Sequence, residues 1–148
     1  MEKKTIDNFY ILSFNYKNLS LDEREKFIKT GYKKILEEYY EKNKINGYVA
    51  LETCLRVELY LEIDTNFEID CFVKEMKTEN VKIYNGLEGV KYLLRVICGL
   101  DSVIKGEDQI LSQIKKTYIS YMDMGKTTSL INIIFNKAIE TGKKFRSV

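Results

Sequence analysis

The hydrophobic period of the chain switches between two and about 3.6 in a fixed order, and that order limits the possible folds more than any single residue does. "FYILSFNY" (Phe9 to Tyr16) is rich in aromatic and β-branched residues and predicts a strand. Ser20 with Glu23 is a capping-box pattern. Phe27, Ile28, Tyr32, Ile35, Leu36 and Tyr39 then recur at helical spacing, which predicts one long amphipathic helix stopped at Gly47. "YVALET" predicts a second strand. "VELYLEI" predicts a third, in which Val57, Leu59, Leu61 and Ile63 alternate with Glu58, Tyr60 and Glu62, so one face is expected to be wet. "NFEIDCFVKEMK" predicts a short helix with Phe67, Cys71, Phe72 and Met76 inward, and "VKIYN" a fourth strand. Over about residues 1–85 the order is βαββαβ, which predicts an α+β fold with a ferredoxin-like antiparallel sheet.

After Gly86 the pattern turns wholly helical. Leu87, Val90, Leu93, Leu94 and Ile97 form one stripe, with Gly99 as its expected C′ residue. Ile110, Leu111, Ile114, Tyr118, Tyr121 and Met122 form the next, preceded by Gly106 with Glu107 and Asp108 where carboxylates suit a helix dipole. A last helix is expected from about Thr128 to Arg146, with no stop signal before Val148, so the sequence reads as running out inside a helix. The expected organisation is a single domain over 1–148: a sheet part to about 85, a helical part over about 86–127, and a final helix from about 128.

Composition removes several function classes. With 148 residues and a net charge of +2, there is a full core but no strong demand for nucleic acid or anionic lipid. No apolar run reaches the length of a membrane span and no signal-peptide core is present, so the expected location is cytoplasmic. Cys54, Cys71 and Cys98 are odd in number and lack C-x-x-C spacing, against a disulfide framework or a zinc site, and no metal-ligand set is visible. The count of histidines is 0, so Ser-His-Asp and Cys-His catalysis cannot be built from this chain.

Two places carry candidate chemistry. Cys54 stands at the corner between the second and third strands, where a turn residue is usual, and Arg56 follows two positions on. It is either a buried structural thiol or a displayed nucleophile; a guanidinium near the sulfur would favour the thiolate. Cys71 and Cys98 fall in apolar stripes and read as packing residues. The second place is the polar connection Asp101, Ser102, Lys105, Glu107 and Asp108, followed by Gln109 and Gln113 four apart on one helix face. No P-loop, G-x-G-x-x-G or nucleophile elbow is present.

These stretches resemble one family in order. "ILSFNYKNLSLDEREKF", "TCLRVELY" and "RVICGLDSVIKGEDQILSQIKKTY" resemble the catalytic domain of glutamyl-tRNA reductase, whose pattern reads T-C-N-R-[TV]-E-[IL]-Y at the second of them. "NKAIETGKKFRS" resembles the start of that family's spinal helix. The resemblance implies an enzyme of tetrapyrrole (porphyrin) biosynthesis. Its cysteine attacks glutamyl-tRNA to form a glutamyl thioester, which NADPH reduces to glutamate-1-semialdehyde. It implies Cys54 as nucleophile, and Thr53, Leu55, Arg56, Ser102, Glu107, Asp108, Gln109 and Gln113 as substrate-binding positions. Arg56 would pair with a substrate carboxylate. The resemblance also implies a homodimer in full length, glutamate-1-semialdehyde aminomutase as a partner, and NADPH-binding and dimerisation domains after the spinal helix. Neither domain is in this sequence, so this chain alone is expected to give at most thioester formation and slow ester hydrolysis.

Two positions depart from the pattern. Leu55 replaces the motif asparagine, and Tyr92 stands where the family has a histidine, leaving a tyrosine as the candidate proton donor. A degenerate, non-catalytic relative that binds tRNA or a protein is therefore the second reading.

Overall fold

The computed structural model describes residues 5–78, 80–100 and 109–147. A 3-10 turn, Thr5–Asn8, leads into strand β1, Phe9–Asn15. Helices α1 (Leu21–Lys29) and α2 (Tyr32–Glu41) follow, then β2 (Ile45–Glu52), β3 (Arg56–Ile63), α3 (Ile69–Glu75) and β4 (Lys82–Asn85). Helices α4 (Leu87–Ile97), α5 (Ile110–Asp123) and α6 (Ser129–Arg146) complete the order. The sheet runs β2-β3-β1-β4 with every pairing antiparallel, which is the ferredoxin-like order expected from the sequence.

Each face of the sheet holds its own core. On one, Leu12, Phe14, Val57, Leu59 and Leu61 pack under α1, α2 and α3 through Phe27, Leu36, Tyr39 and Phe72. Phe14, Phe27 and Tyr32 stack in series, with ring centroids 4.2 Å and 4.9 Å apart. On the other face, Phe9, Ile11, Val49, Leu51 and Tyr60 meet Leu93 and Val96 of α4, Ile114 of α5 and Phe135 of α6. Tyr60 and Phe135 meet edge to face at 5.0 Å.

Local signals account for the helix ends. Ser20 caps α1 with the full capping box: its Oγ accepts from Glu23 N, and the Glu23 carboxylate accepts from Ser20 N. After α4, Gly99 adopts a left-handed φ of 77°, and Leu100 N donates to Arg95 O at 2.8 Å, which closes a Schellman motif. Thr128 caps α6 by accepting from Ile131 N.

Four expectations are corrected. The long first helix is two, because Gly31 takes φ 81° between them and turns the chain so that Phe27 and Tyr32 can stack. Gly47 does not stop α2. The stop is Asn43 at φ 60°, with Lys44 N donating to Tyr39 O at 2.9 Å, and Gly47 lies inside β2. The second face of β3 is not wet: Glu58 and Tyr60 are both 0% exposed, because the helices from α4 onward cover them. Cys71 is exposed, since α3 turns Phe72 and Met76 inward and carries Cys71 to its flank.

Gly47 has a different task from the expected one. The loop between α5 and α6 runs against β2, and Tyr48 N donates to Lys126 O at 2.9 Å. A Cβ at residue 47 would stand 2.7 Å from both Lys126 O and Thr128 Cγ2. Gly47→Ala should therefore push this loop off the sheet and lower the unfolding free energy by about 1–3 kcal/mol, read by urea denaturation.

Candidate active site

The corner between β2 and β3 is residues 53–56, and most of its backbone polar groups are bonded. Thr53 N donates to Arg56 O at 2.9 Å, and Thr53 Oγ1 accepts from both Leu55 N and Arg56 N at 3.2 Å. Leu55 O accepts from Tyr16 N at 2.9 Å, and Cys54 O accepts from Arg24 Nη2 at 2.8 Å. Short loops this well bonded hold one conformation. Cys54 is exposed on it.

Beneath the corner lies a buried polar cluster. Glu58, 0% exposed, accepts at Oε2 from Ser13 Oγ at 2.6 Å, from Arg56 Nη1 at 3.1 Å and from Tyr92 OH. Its Oε1 accepts from Tyr60 OH at 2.7 Å. Arg56 Nη1 also donates to Tyr92 OH at 2.9 Å, and Asn15 Nδ2 donates to Ser13 Oγ at 2.8 Å. Burial, then the charge of Glu58, pushes the Tyr92 pKa well above the usual tyrosine value. Tyr60 is raised by the same two causes. Both phenols therefore keep their protons at neutral pH and donate them as hydrogen bonds.

The residues singled out from the sequence separate into three groups. Thr53, Cys54 and Leu55 form the corner, with Thr53 and Leu55 half-buried. Arg56 and Tyr92 are 1% exposed and meet in the Glu58 cluster, so the guanidinium is directed into the sheet's covered face, where Glu58 occupies it. Gln113 is half-buried on α5 and Gln109 is exposed just before it. Ser102, Glu107 and Asp108 lie outside the described residues. Among the described residues no cluster of three or more metal-ligating side chains occurs.

Comparison with known proteins decides the family. The model of the glutamyl-tRNAGlu reductase N-terminal domain matches residues 12–148. The chain belongs to that family. It is 42% identical over 142 residues to a glutamyl-tRNA reductase of Fusobacterium nucleatum, covering 96% of this chain and 43% of that relative. A glutamyl-tRNA reductase of Methanosarcina barkeri is 35% identical over 135 residues, with 90% of this chain and 30% of the relative covered. Among solved structures, the glutamyl-tRNA reductase from Methanopyrus kandleri superposes with a TM-score of 0.80 at 27% identity, over 95% of this chain and 35% of that one. The chain thus spans less than half the length of these relatives.

Sequence reasoning within this reductase family missed Arg24, Ser13, Asn15 and Glu58. Arg24 had a signal: it sits three residues before Phe27 and four before Ile28, on the apolar stripe of α1, where a charge is out of place unless something inside receives it. For Glu58 the signal was its spacing of two from Arg56 and Tyr60, which puts all three on one face of β3.

Tyr92 offers a pH test of the cluster. A tyrosine whose pKa rises on folding adds stability that is fully present below about pH 10, the ordinary tyrosine value, and is lost as pH climbs toward the folded value. Tyr92→Phe removes one donor from a buried carboxylate and should cost about 1.5–3 kcal/mol at neutral pH. The difference between parent and variant, measured by urea denaturation, should shrink as pH passes about 10. Tyr60 is present in both proteins and is raised chiefly by burial and Glu58, with Tyr92 a smaller cause, so most of its contribution cancels.

Proposed function

We propose that this chain is the glutamyl-accepting part of a glutamyl-tRNA reductase, an oxidoreductase of tetrapyrrole biosynthesis, with Cys54 as nucleophile. The observation that carries this reading is an exposed thiol on a corner whose backbone is fixed on both sides by side chains. The Cys54 sulfur attacks the ester carbonyl carbon of glutamyl-tRNA. A carbon–sulfur bond forms, the ester carbon–oxygen bond breaks, and the ribose hydroxyl leaves with the proton the thiol gave up. The product is a glutamyl thioester, a good acceptor for later reduction to glutamate-1-semialdehyde.

Arg56 is the residue for the substrate carboxylate in this reading, and it must share its guanidinium with Glu58 to serve there. Gln113, and Gln109 beside it, supply amides from the start of α5. Tyr92 acts as a fixed neutral donor that keeps Glu58 and Arg56 in register, since its proton is held too tightly for shuttling near neutral pH.

NADPH does not fit these residues. The sheet is wholly antiparallel, so it lacks the parallel crossover and switch point where a dinucleotide is held, and the sequence lacks a G-x-G-x-x-G fingerprint. The reading for this chain accordingly stops at the thioester and its slow loss to water. A cytoplasmic setting suits three free thiols, and no helix among the described residues is long and apolar enough to cross a membrane.

Brief mixing with glutamyl-tRNA followed by intact-mass spectrometry should show a single glutamyl adduct on the parent, mapped to Cys54. The Cys54→Ser chain should show no thioester. A folded parent that leaves the tRNA ester intact would overturn this reading in favour of a non-catalytic tRNA- or protein-binding relative.

A further inference from the structure

Among the described residues, Arg24 is the one buried cation whose task the preceding chemistry does not use. It rises from α1, on the face of the sheet opposite Arg56, and is 5% exposed. Among the described residues no carboxylate pairs with it. Instead, its guanidinium bridges two main-chain carbonyls: Nη1 donates to Leu19 O at 2.6 Å, and Nη2 donates to Cys54 O at 2.8 Å. A buried charge is costly unless its hydrogen bonds are made, so an uncompensated arginine on two carbonyls calls for a reason.

The two carbonyls belong to different segments. Leu19 lies in the loop that leads into α1, immediately before the Ser20 cap. Cys54 lies in the corner between β2 and β3. One further bond joins these loops, from Tyr16 N to Leu55 O at 2.9 Å. Within the corner, the Thr53 hydroxyl holds the Leu55 and Arg56 amides. Arg24 therefore grips the carbonyl of the reactive residue itself, and it does so from an element anchored in the core through Phe27.

We infer that Arg24 is a positioning residue for Cys54: its guanidinium fork fixes the peptide that follows the nucleophile, and so sets the direction from which the sulfur meets an acyl carbon. The planar fork matters here. A lysine can reach one carbonyl but cannot span two in fixed geometry. Misplacing a reacting atom by about 1 Å can cost on the order of a hundredfold in rate, so a loosened corner should be visible in acyl transfer long before the fold fails.

The test uses Arg24→Lys and Arg24→Met in this chain, with two readouts. The first, amide hydrogen exchange, is independent of what the chain does. Exchange at the Leu55 and Arg56 amides should quicken by about tenfold or more in both variants, while Leu59 and Leu61 in β3 keep the parent rates. The second readout rests on the function proposed above: single-turnover glutamyl transfer to Cys54 at saturating glutamyl-tRNA should fall about tenfold or more. Alkylation of Cys54 by iodoacetamide, which needs no defined approach, should stay within about twofold of the parent when scaled to exposed Cys71.

Faster exchange across corner and sheet together, with transfer and alkylation falling in proportion to unfolded protein, would make Arg24 a stability residue only and overturn the inference. An unchanged transfer rate in the folded variants would overturn it as well. If the parent takes no glutamyl group, the proposed function fails by itself, and the contrast between corner and sheet exchange decides the role of Arg24.

Discussion

The buried carboxylate of Glu58 is the constraint on which the rest of this arrangement depends. A charge at 0% exposure is tolerated only when its acceptor sites are filled and a counter-charge is close. Here four donors fill them: Ser13 from β1, Arg56 and Tyr60 from β3, and Tyr92 from α4. Three elements therefore have to be in register for the centre of the sheet to close. Losing one partner of such a pair costs about 3–5 kcal/mol, a large share of a small domain's stability. The same register places Arg56 at the first position of β3, and the corner that displays Cys54 ends at that residue.

The alternation of β3 was legible, but its environment was not. A period of two says that Glu58 and Tyr60 point away from Leu59 and Leu61; it is silent on whether water or a second layer lies there. That layer comes from α4, α5 and α6, whose apolar stripes were read correctly as helices without being assigned a face of the sheet to cover. The α1–α2 break was hidden because Phe27 and Tyr32 keep the stripe going on both sides of Gly31, and an isolated glycine in a helical pattern is ordinarily tolerated. Cys71 was misplaced by one position: once Phe72 and Met76 define the inward face of α3, its neighbour stands about 100° away from it. In the site, a displayed cysteine was one of the two readings that the strand corner left open, and Thr53 came only from the family resemblance. For Arg24 the pattern showed a charge on an apolar stripe but not its partners, because backbone carbonyls leave no trace in side-chain pattern.

Both departures from the family pattern make physical sense in this fold. At residue 55 the corner is shaped by main-chain groups: Leu55 N meets Thr53 Oγ1 and Leu55 O meets Tyr16 N, bonds that a leucine forms as readily as an asparagine. Tyr92 keeps one hydrogen bond to Glu58 and accepts one from Arg56. As a neutral donor it leaves the cluster with one positive and one negative charge, which is the balance a dry site favours. A tyrosine there supports the geometry, and it gives up the titration near pH 7 that a histidine would bring.

The corner also collects charge in a way the whole chain does not. With a net charge of +2 spread over 148 residues, long-range attraction of an anionic partner is weak. Locally the balance differs. Arg56 is matched by Glu58 on one side of the sheet, whereas Arg24, on the other side, lies against carbonyl oxygens with no carboxylate partner among the described residues. The dipoles that hold Arg24 do not cancel its charge, and the surrounding apolar core screens that charge poorly. The corner therefore carries, on the side of the sheet that holds Arg24, a buried positive charge that the net figure does not reveal.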